Sequence, residues 1–248
     1  MIKSIHILAI TIIGLLSTAF HAFTGFDPKW LLYTLITYFA FSCLGITVTF
    51  HRYLTHRSFR FRWKWMEKLF ILFGSLAGTG SAIGWVAVHK SHHKHSDTDS
   101  DPHGPMTGWR NFFNDYDDDV DYRSVRHLLR DPYLRRLHKY GWWIMLAFYA
   151  TLFMIGGLPA LVFIGLLPQT MTILISASCN YFAHLYGYQS YETGDNSRNT
   201  WWLAIPTWGD SWHNNHHAKP NLYSFRHKWW EFDISGSIIS LVREKDVR

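Results

Sequence analysis

The sequence predicts an all-α integral membrane protein with four transmembrane helices and a histidine-rich helical cap on the cytoplasmic side. The apolar residues are gathered into runs long enough to cross a bilayer, which takes about 20 residues per helix, and strongly polar segments separate them. The mean hydropathy of -0.07 is near neutral because one polar block dilutes the apolar runs. The clustering therefore indicates a membrane protein where the average does not.

Four apolar runs fit transmembrane helices, at about residues 4–23, 30–50, 141–156 and 159–182. A turn with Asp27 and Pro28 separates the first two, and Gly156 and Gly157 separate the last two. We interpret the first run as a retained helix and not a signal peptide, because no small-residue cleavage site follows and a second run comes at once. The whole chain, 1–248, is then a single membrane domain, with residues 51–140 and 183–248 on the cytoplasmic side.

A fifth apolar run, 69–88, is interrupted by glycines and is a poor candidate for a continuous helix. If it crossed the bilayer, the histidines before it and after it would lie on opposite sides of the membrane. We therefore expect it to lie at the membrane surface or inside the protein, so that the histidine-rich segments share one side. Basic residues beside the second and third runs place that side in the cytoplasm by the positive-inside rule.

Charge and cysteine usage exclude several other classes. The 24 Lys and Arg exceed the 18 Asp and Glu, but the basic residues flank apolar runs and form no nucleic-acid-binding motif, so we predict membrane lipid and no nucleic acid as a partner. Cys43 and Cys179 lie inside apolar runs without metal-binding spacing. They are predicted to be buried free thiols.

Histidine carries the predicted chemistry. Nine of the sixteen histidines fall in four short arrays at or beyond the end of an apolar run, and these are His51, His56, His89, His92, His93, His184, His213, His216 and His217. Two arrays have the spacing HxxHH, which can aim three imidazoles at one point if the segment is helical. His51 and His56 diverge by about 140° on an α-helix, so that helix must end or loosen between them.

The matched spacings favour a metal site over scattered core histidines. A lone imidazole on an apolar face is more often a hydrogen-bonded core residue, but a solvated face would hardly select imidazole nine times over Lys or Glu. Nine nitrogen ligands exceed the roughly four to six positions of one ion, so two ions are expected. Imidazole suits iron, zinc, copper and nickel, so the arrays alone do not select the metal.

The order HxxxxH, HxxHH, HxxHH resembles the membrane fatty acid desaturases of the acyl-CoA Δ9 type. The flanking residues strengthen the resemblance: Arg-Ser-Phe follows His56, Trp85 lies four residues before His89, Asp-Pro-His occupies 101–103, and Trp-His-Asn-Asn-His-His occupies 212–217. The tail 224–233 resembles that of bacterial members. The resemblance covers roughly residues 30 to 235.

The resemblance implies a non-haem centre of two iron ions that uses O₂ as co-substrate to desaturate a long-chain fatty acyl group, at Δ9 of a C16 or C18 chain. It makes the nine array histidines iron ligands, with Asn180 reaching one iron through water. Neutral imidazoles leave the positive charge of the ions in place, which suits hydrogen abstraction from an unactivated methylene. Carboxylates usually orient metal-bound imidazoles, and the candidates are Asp97, Asp99, Asp101, Asp210 and Glu231.

The stretch from Thr79 to Gly84 departs from the family pattern, because it lacks the Gln and Glu of many members. It resembles the wall where the acyl tunnel bends, so Thr79 and Trp85 are predicted tunnel residues, and the resemblance fixes the reaction type better than the double-bond position. No fused cytochrome domain is found, which implies an external electron donor, a ferredoxin or a b-type cytochrome. The basic stretches 57–68 and 123–139 could bind such a donor or anchor the protein at lipid headgroups.

Two other functions fit parts of the pattern. Membrane hydroxylases and ketolases use related arrays and the same hydrogen abstraction, and they differ in the product. A metal transporter would place its histidines near the middle of its spans, whereas these arrays lie at or beyond the ends. The sequence also leaves open whether CoA, an acyl carrier protein or a membrane lipid carries the acyl chain.

Overall fold

The computed structural model describes residues 4–113 and 122–245, and within these ranges the chain is helical, without a strand of a sheet. Part of the predicted cytoplasmic segment 51–140 therefore lies outside the described residues, as do the two ends of the chain. The helices are α1 (Ser4–Thr24), α2 (Lys29–Tyr38), α3 (Lys64–Leu76), α4 (Ala82–His95), α5 (Pro132–Ala160), α6 (Leu167–Phe182), α7 (His213–Ala218) and α8 (Ile234–Val242). Short 3₁₀ turns lie at Pro105–Phe113, Tyr122–Val125, Leu128–Arg130 and Trp201–Leu203.

Three helical segments are long and apolar enough to cross a membrane: Ile7–Thr24, Lys29–Thr55 and Pro132–Phe182. The third is a hairpin, because the backbone breaks inside α5 at Gly157, whose φ of 61° is left-handed. The second arm continues through a π-helix at Leu161–Leu166 into α6, and its Gly165 packs against Tyr149 and Leu152 of the first arm. The hydroxyl of Tyr149 on α5 donates to Gln169 Oε1 on α6 at 2.6 Å. The runs predicted at 141–156 and 159–182 are these two arms.

Two helices extend beyond the apolar runs predicted from the sequence. The helix of the third run begins at Pro132 and not at residue 141, because the Asp131 carboxylate caps it by accepting hydrogen bonds from the amides of Tyr133 and Leu134. The second run does not end at residue 50 but continues to Thr55. Hydropathy missed both extensions, because polar side chains populate the added turns.

The second segment changes its winding after Tyr38. From Phe39 to Thr55 it forms a wide helix with i→i+5 hydrogen bonding, of which the bond from the His56 amide to the His51 carbonyl at 3.2 Å is the last. This wide helix packs tightly against α3. A Cβ on Gly45 would lie 2.3 Å from the backbone nitrogen of Gly74, so only glycine permits the crossing.

The interrupted run 69–88 is two helices, as its glycines predict. α3 ends at Leu76 and α4 begins at Ala82, and the connection contains Gly78 and Gly80 with φ of 80° and 101°. The Ser81 hydroxyl caps α4 by accepting from the Gly84 amide. The turn redirects α4, which carries the first HxxHH array, towards the end of the wide helix.

The C-terminal segment packs against the wide helix. α8 packs Ile239 and Val242 against Cys43 and Val48 of the wide helix. Both cysteines predicted to be free and buried are so. The chain between α6 and α8 contains α7, with the second HxxHH array, and it is tied to the wide helix through Arg52, whose guanidinium bonds Asp233 at 2.8 Å.

Candidate metal centre

The nine array histidines come together in one region, in two groups whose imidazole nitrogens lie within 4.8 Å of one another. The five-histidine group contains His51, His56, His89, His93 and His216. The four-histidine group contains His92, His184, His213 and His217. The histidines before and after the interrupted fifth run therefore lie together, as we expected if this run does not cross the membrane.

The wide helix explains how His51 and His56 reach the same group. Residues five apart would diverge on an α-helix, but i→i+5 winding brings them onto neighbouring turns of one face. Their ring centroids lie 5.0 Å apart. The loosening that the HxxxxH spacing predicts is therefore spread over the last turns of the segment and not confined to its end.

The expectation that each HxxHH array aims all three imidazoles at one point was wrong. In α4, His89 and His93 join the five-histidine group and His92 joins the other. In α7, His213 and His217 join the four-histidine group and His216 joins the other. The i,i+4 pairs stay together while the remaining histidine turns to the opposite side, so each short helix lies between the two groups and contributes to both.

Inside each group the Nε2 atoms face one another. The Nε2 atoms of His51 and His216 lie 3.1 Å apart, those of His93 and His216 2.9 Å, and those of His184 and His213 3.0 Å. The buried Nε2 atoms of His92 and His217 have no hydrogen-bond partner among the described residues. Buried nitrogen atoms that converge without polar partners are what a bound cation would satisfy.

Carboxylates hold four of these imidazoles from behind. Their Nδ1 atoms donate to Asp210 from His51 at 3.0 Å, to Asp101 from His92 at 2.9 Å, to Asp97 from His184 at 3.1 Å and to Asp195 from His217 at 2.6 Å. A proton fixed on Nδ1 leaves a lone pair on Nε2, the atom that points inward. The imidazoles are therefore held in the tautomer that a metal ion binds.

Three of the five carboxylates proposed from sequence have this role, and two do not. Asp99 is exposed, and Glu231 instead accepts hydrogen bonds from Asn215 and from the amides of His227 and Lys228. Asp195 was missed, because it lies 22 residues before His217 in a loop with no motif. Only the folding of that loop onto α7 reveals it.

Burial favours the neutral form of six of these imidazoles. Desolvation lowers the pKa of His56 to about 2, and it lowers the pKa values of His89, His92, His93, His213 and His216 well below 6.5. Burial raises the pKa of Asp101 to about 6, and burial alone would raise that of Asp195 as well. The hydrogen bond from His217 reverses the effect on Asp195 and holds its pKa below the ordinary value. Neutral imidazole is the form that ligates metals.

The other predicted residues lie around the two groups. Asn180 is in the last turn of α6, four residues before His184, and is half-buried. The Trp85 ring stacks on the His89 imidazole at a centroid distance of 4.9 Å. Thr79 lies in the turn between α3 and α4 with its hydroxyl buried and, among the described residues, without a partner.

A tenth histidine belongs to this region. His103 is buried and stacks on His92 with ring centroids 4.2 Å apart, and these two histidines form a third metal-compatible set with Asp101. The Asp-Pro-His sequence at 101–103 was the signal for it, although it predicted no contact with the arrays. The histidine groups thus suit metal ions in donor type, burial and tautomer.

Comparisons with known proteins identify the family. The fatty acid desaturase family model matches residues 28–232. The chain is 36% identical to an sn-1 stearoyl-lipid 9-desaturase from Anabaena variabilis, over 93% of this chain and 88% of that protein. It is 34% identical to an sn-2 palmitoyl-lipid 9-desaturase from Nostoc sp. (strain 36), over 90% and 84% of the two chains. It is 38% identical to the Delta-9 acyl-lipid desaturase 1 of Arabidopsis thaliana, over 79% and 67%. The chain therefore belongs to the fatty acid desaturase family.

Proposed function

We propose that this protein removes two hydrogens from a long-chain fatty acyl group in an O₂-dependent reaction, forming a double bond at Δ9 of a C16 or C18 chain. The observation that carries the proposal is the convergence of nine imidazoles, six of them buried, into two groups, in a member of the fatty acid desaturase family. We propose a lipid-linked acyl substrate in place of the acyl-CoA type suggested by the sequence resemblance, because the relatives described above are named for lipid-linked chains.

The metal is proposed to be iron, two ions per chain. One would be held by the five-histidine group, and the other by the four-histidine group with Asn180 through a water molecule. A bound iron pair would supply the O₂ activation that breaks an unactivated C–H bond. Imidazole alone would suit other metals, so the family resemblance, and not the donor set, selects iron.

The protein's own residues orient and shield this centre. The four carboxylates on Nδ1 fix the tautomer and the ring planes of their histidines. Phe225 is fully buried and contacts His216 at a centroid distance of 4.5 Å, and Trp85 covers His89. These aromatic walls exclude water from the side of the five-histidine group that they cover. Trp85 and Thr79 are proposed to line the acyl tunnel.

For the membrane arrangement we propose four spans, with α5 and α6 as separate crossings and the histidine-bearing cap in the cytoplasm. Single cysteines at the exposed position Asp99 and at the partly buried positions Ser58 and Ser224, in a Cys43→Ser, Cys179→Ser background, should then react with an impermeant thiol reagent from the cytoplasmic side. A cysteine at Thr24 should react from the other side. Opposite labelling of Ser58 and Asp99 would exclude this topology.

Electrons are proposed to arrive from an external ferredoxin or b-type cytochrome. Exposed Arg57 follows His56 directly, and Lys90 follows His89 and reaches the Ser124 carbonyl at 3.2 Å. A basic surface beside the five-histidine group would steer an acidic donor to it. Charge reversal at Arg57 should therefore slow turnover most at low salt, where steering is strongest.

The function is tested by expressing the chain in a host that lacks the Δ9 double bond and analysing fatty acid methyl esters with double-bond localisation. We expect Δ9 unsaturated C16 or C18 chains from the wild type and none from His184→Ala. Hydroxy acids without a new alkene would instead show a hydroxylase. A double bond at another position would support desaturation but contradict the proposed Δ9 position. One Arabidopsis relative is named as a delta-7 desaturase.

The carrier is tested with purified protein and an electron-donor system. Proteoliposomes that contain saturated phospholipid should yield unsaturated lipid, whereas stearoyl-CoA added to the same protein in unsaturated-lipid vesicles should remain saturated. Desaturation of the CoA ester alone would reverse the assignment.

A further inference from the structure

The carboxylates behind the imidazoles are unevenly divided between the two groups. Three of the four histidines in the four-histidine group donate to their own carboxylate: His92 to Asp101, His184 to Asp97 and His217 to Asp195. These three acids hydrogen-bond backbone amides and hydroxyl groups in addition, and no Lys or Arg forms a salt bridge with them among the described residues.

The five-histidine group has fewer carboxylate partners. Within the described ranges, His51 is its only member that donates to a carboxylate, and that carboxylate, Asp210, also accepts from the fully buried Arg52 at 3.0 Å. Arg52 pairs with Asp233 at 2.8 Å and lies over the Phe225 ring at 3.9 Å, so its position is fixed. The His216 Nδ1 is buried and has no hydrogen-bond partner in the part of the chain that the structure describes. Arg52 is shared between Asp210 and Asp233, and it partly offsets the charge of the one carboxylate on this side.

The different numbers of carboxylates should give the two groups different affinities for a metal ion. A carboxylate on Nδ1 raises the basicity of the imidazole and attracts the metal, and in a buried site a fixed charge is screened little. The fifth imidazole of the larger group adds one neutral donor. The smaller group has three anionic partners, which form no salt bridge with an Arg or Lys of residues 4–113 and 122–245. Loss of one such partner typically costs about 10–100-fold in metal affinity, so the charge difference outweighs the extra ligand.

We propose that the two metal sites are unequal: the four-histidine group binds a divalent cation more tightly and fills first, and Asp195 is a positioning residue that gives it this preference. The five-histidine group then fills second and empties first. The inference deepens the proposed function, because it rests on the two-metal centre proposed above. It concerns binding alone and holds whatever the product of the reaction is.

The test is equilibrium titration of the metal-free, detergent-purified full-length protein with Co²⁺ under anaerobic conditions, followed by calorimetry and by the visible absorption of the bound ion. We expect two classes of site, one ion each, separated by at least about 10-fold in dissociation constant. Asp195→Asn keeps the size of the side chain and should weaken the tight class about 10–100-fold while the weak class stays unchanged. Asp99→Asn, an exposed neighbour of the same region, is the matched control and should change neither class.

Two equal sites, or weakening of the weaker class by Asp195→Asn, would overturn the inference. If Asp195→Asn fails to fold, His217→Ala provides the same test, since it should abolish the tight class and leave the weak one. Wild-type protein that binds fewer than two ions would instead contradict the two-metal centre itself, so failure of the inference and failure of the proposed function give different results.

Discussion

The long apolar helices and the histidine-bearing region obey opposite rules of burial. Leu16 on α1 and Met154 on α5 expose 66% and 77% of their surface, although they are among the most apolar residues of the chain. In α7, by contrast, Asn214, Asn215 and His216 are fully buried. Apolar side chains that face outward suit lipid, and polar side chains that face inward suit a ligand. The apolar helices are therefore stabilised by their surroundings, and the histidine-bearing region by internal polar contacts.

Hydrogen bonds pair both buried asparagines of α7. The Asn215 side chain donates to Glu231 at 3.0 Å and to the Phe225 carbonyl at 2.9 Å. Its backbone amide donates to Asn199 Oδ1. Asn214 accepts from the Ser190 amide at 2.7 Å. A short helix that could not persist alone is thereby held rigid, and with it three of the nine imidazoles.

The largest effect we expect is on catalysis. His184→Ala should lower bound iron and reduce desaturation by at least about 100-fold, because it removes an imidazole from the four-histidine group without touching the lipid-facing surfaces. His95→Ala, on α4 beside the arrays but outside both groups, should leave iron and activity near wild type. Measurements are iron per chain and product per iron in protein that elutes as a single species. Equal losses in the two variants would mean that histidine abundance, and not these groups, explains the metal.

His138 also lies outside the arrays, but it is a less suitable control than His95 for His184→Ala. Its Nδ1 lies 2.6 Å from the Ser81 hydroxyl, which caps α4. His138→Ala should therefore disturb the start of the helix that carries His89, His92 and His93, and a modest loss of activity in it would not contradict the metal centre.

The largest expected effect on stability is at Arg52. Arg52→Leu should lower the free energy of unfolding by about 3–5 kcal/mol, because the buried Asp233 and the partly buried Asp210 lose their cation. Arg136→Leu, at an exposed position of α5, should change it by less than about 0.5 kcal/mol. Thermal unfolding in one detergent compares the two. Equal stability of both variants would show that the buried ion network does not hold the cap together.

Acid should destabilise the metal-free protein through the histidine groups. Six of their imidazoles have pKa values well below 6.5 in the folded state, so the stability they contribute is complete above pH 6.5 and is lost as the pH falls below it. Each of these imidazoles contributes a slope of about 1.4 kcal/mol per pH unit to the free energy of unfolding. The raised pKa of Asp101 contributes a slope of the opposite sign, but from one side chain only. His56→Gln should reduce the slope of unfolding free energy between pH 6.5 and 5 by about one such group. A stability that is flat or rises over this range would contradict the burial of neutral imidazoles.

The smallest effect is expected on the lipid-facing surface. Leu16→Ala should change the free energy of unfolding by less than about 0.5 kcal/mol in detergent, whereas Ile239→Ala, fully buried between α8 and the wide helix, should cost about 2–5 kcal/mol. A large loss from Leu16→Ala would mean that another protein surface, and not lipid or detergent, covers α1.

The sequence was sufficient for the features that depend on local pattern. The runs of apolar residues located the helices α1, α2, α5 and α6, the glycines located the break between α3 and α4, and the spacing of His51 and His56 required a loosened helix. These signals are short in range, because periodicity and turn chemistry act within a few residues.

The features that depend on tertiary contacts were not predictable in the same way. The division of each HxxHH array between two groups follows from what lies on either side of α4 and α7, which no spacing encodes. The role of Asp195 depends on a loop that folds back over 22 residues to His217. The helix start at Pro132 was masked by the basic residues of the first turns, although Asp131-Pro132 is a recognisable N-terminal signal.

The most direct test of the two-group centre is the iron content of the purified protein after anaerobic loading. Elemental analysis gives the iron, and amino acid analysis gives the amount of protein. Two histidine groups predict two irons per wild-type chain, and His184→Ala, which breaks only the four-histidine group, should retain the site of the other group and hold one. A single iron in the wild type, or an unchanged content in His184→Ala, would contradict the two-group centre on which the proposed desaturation depends.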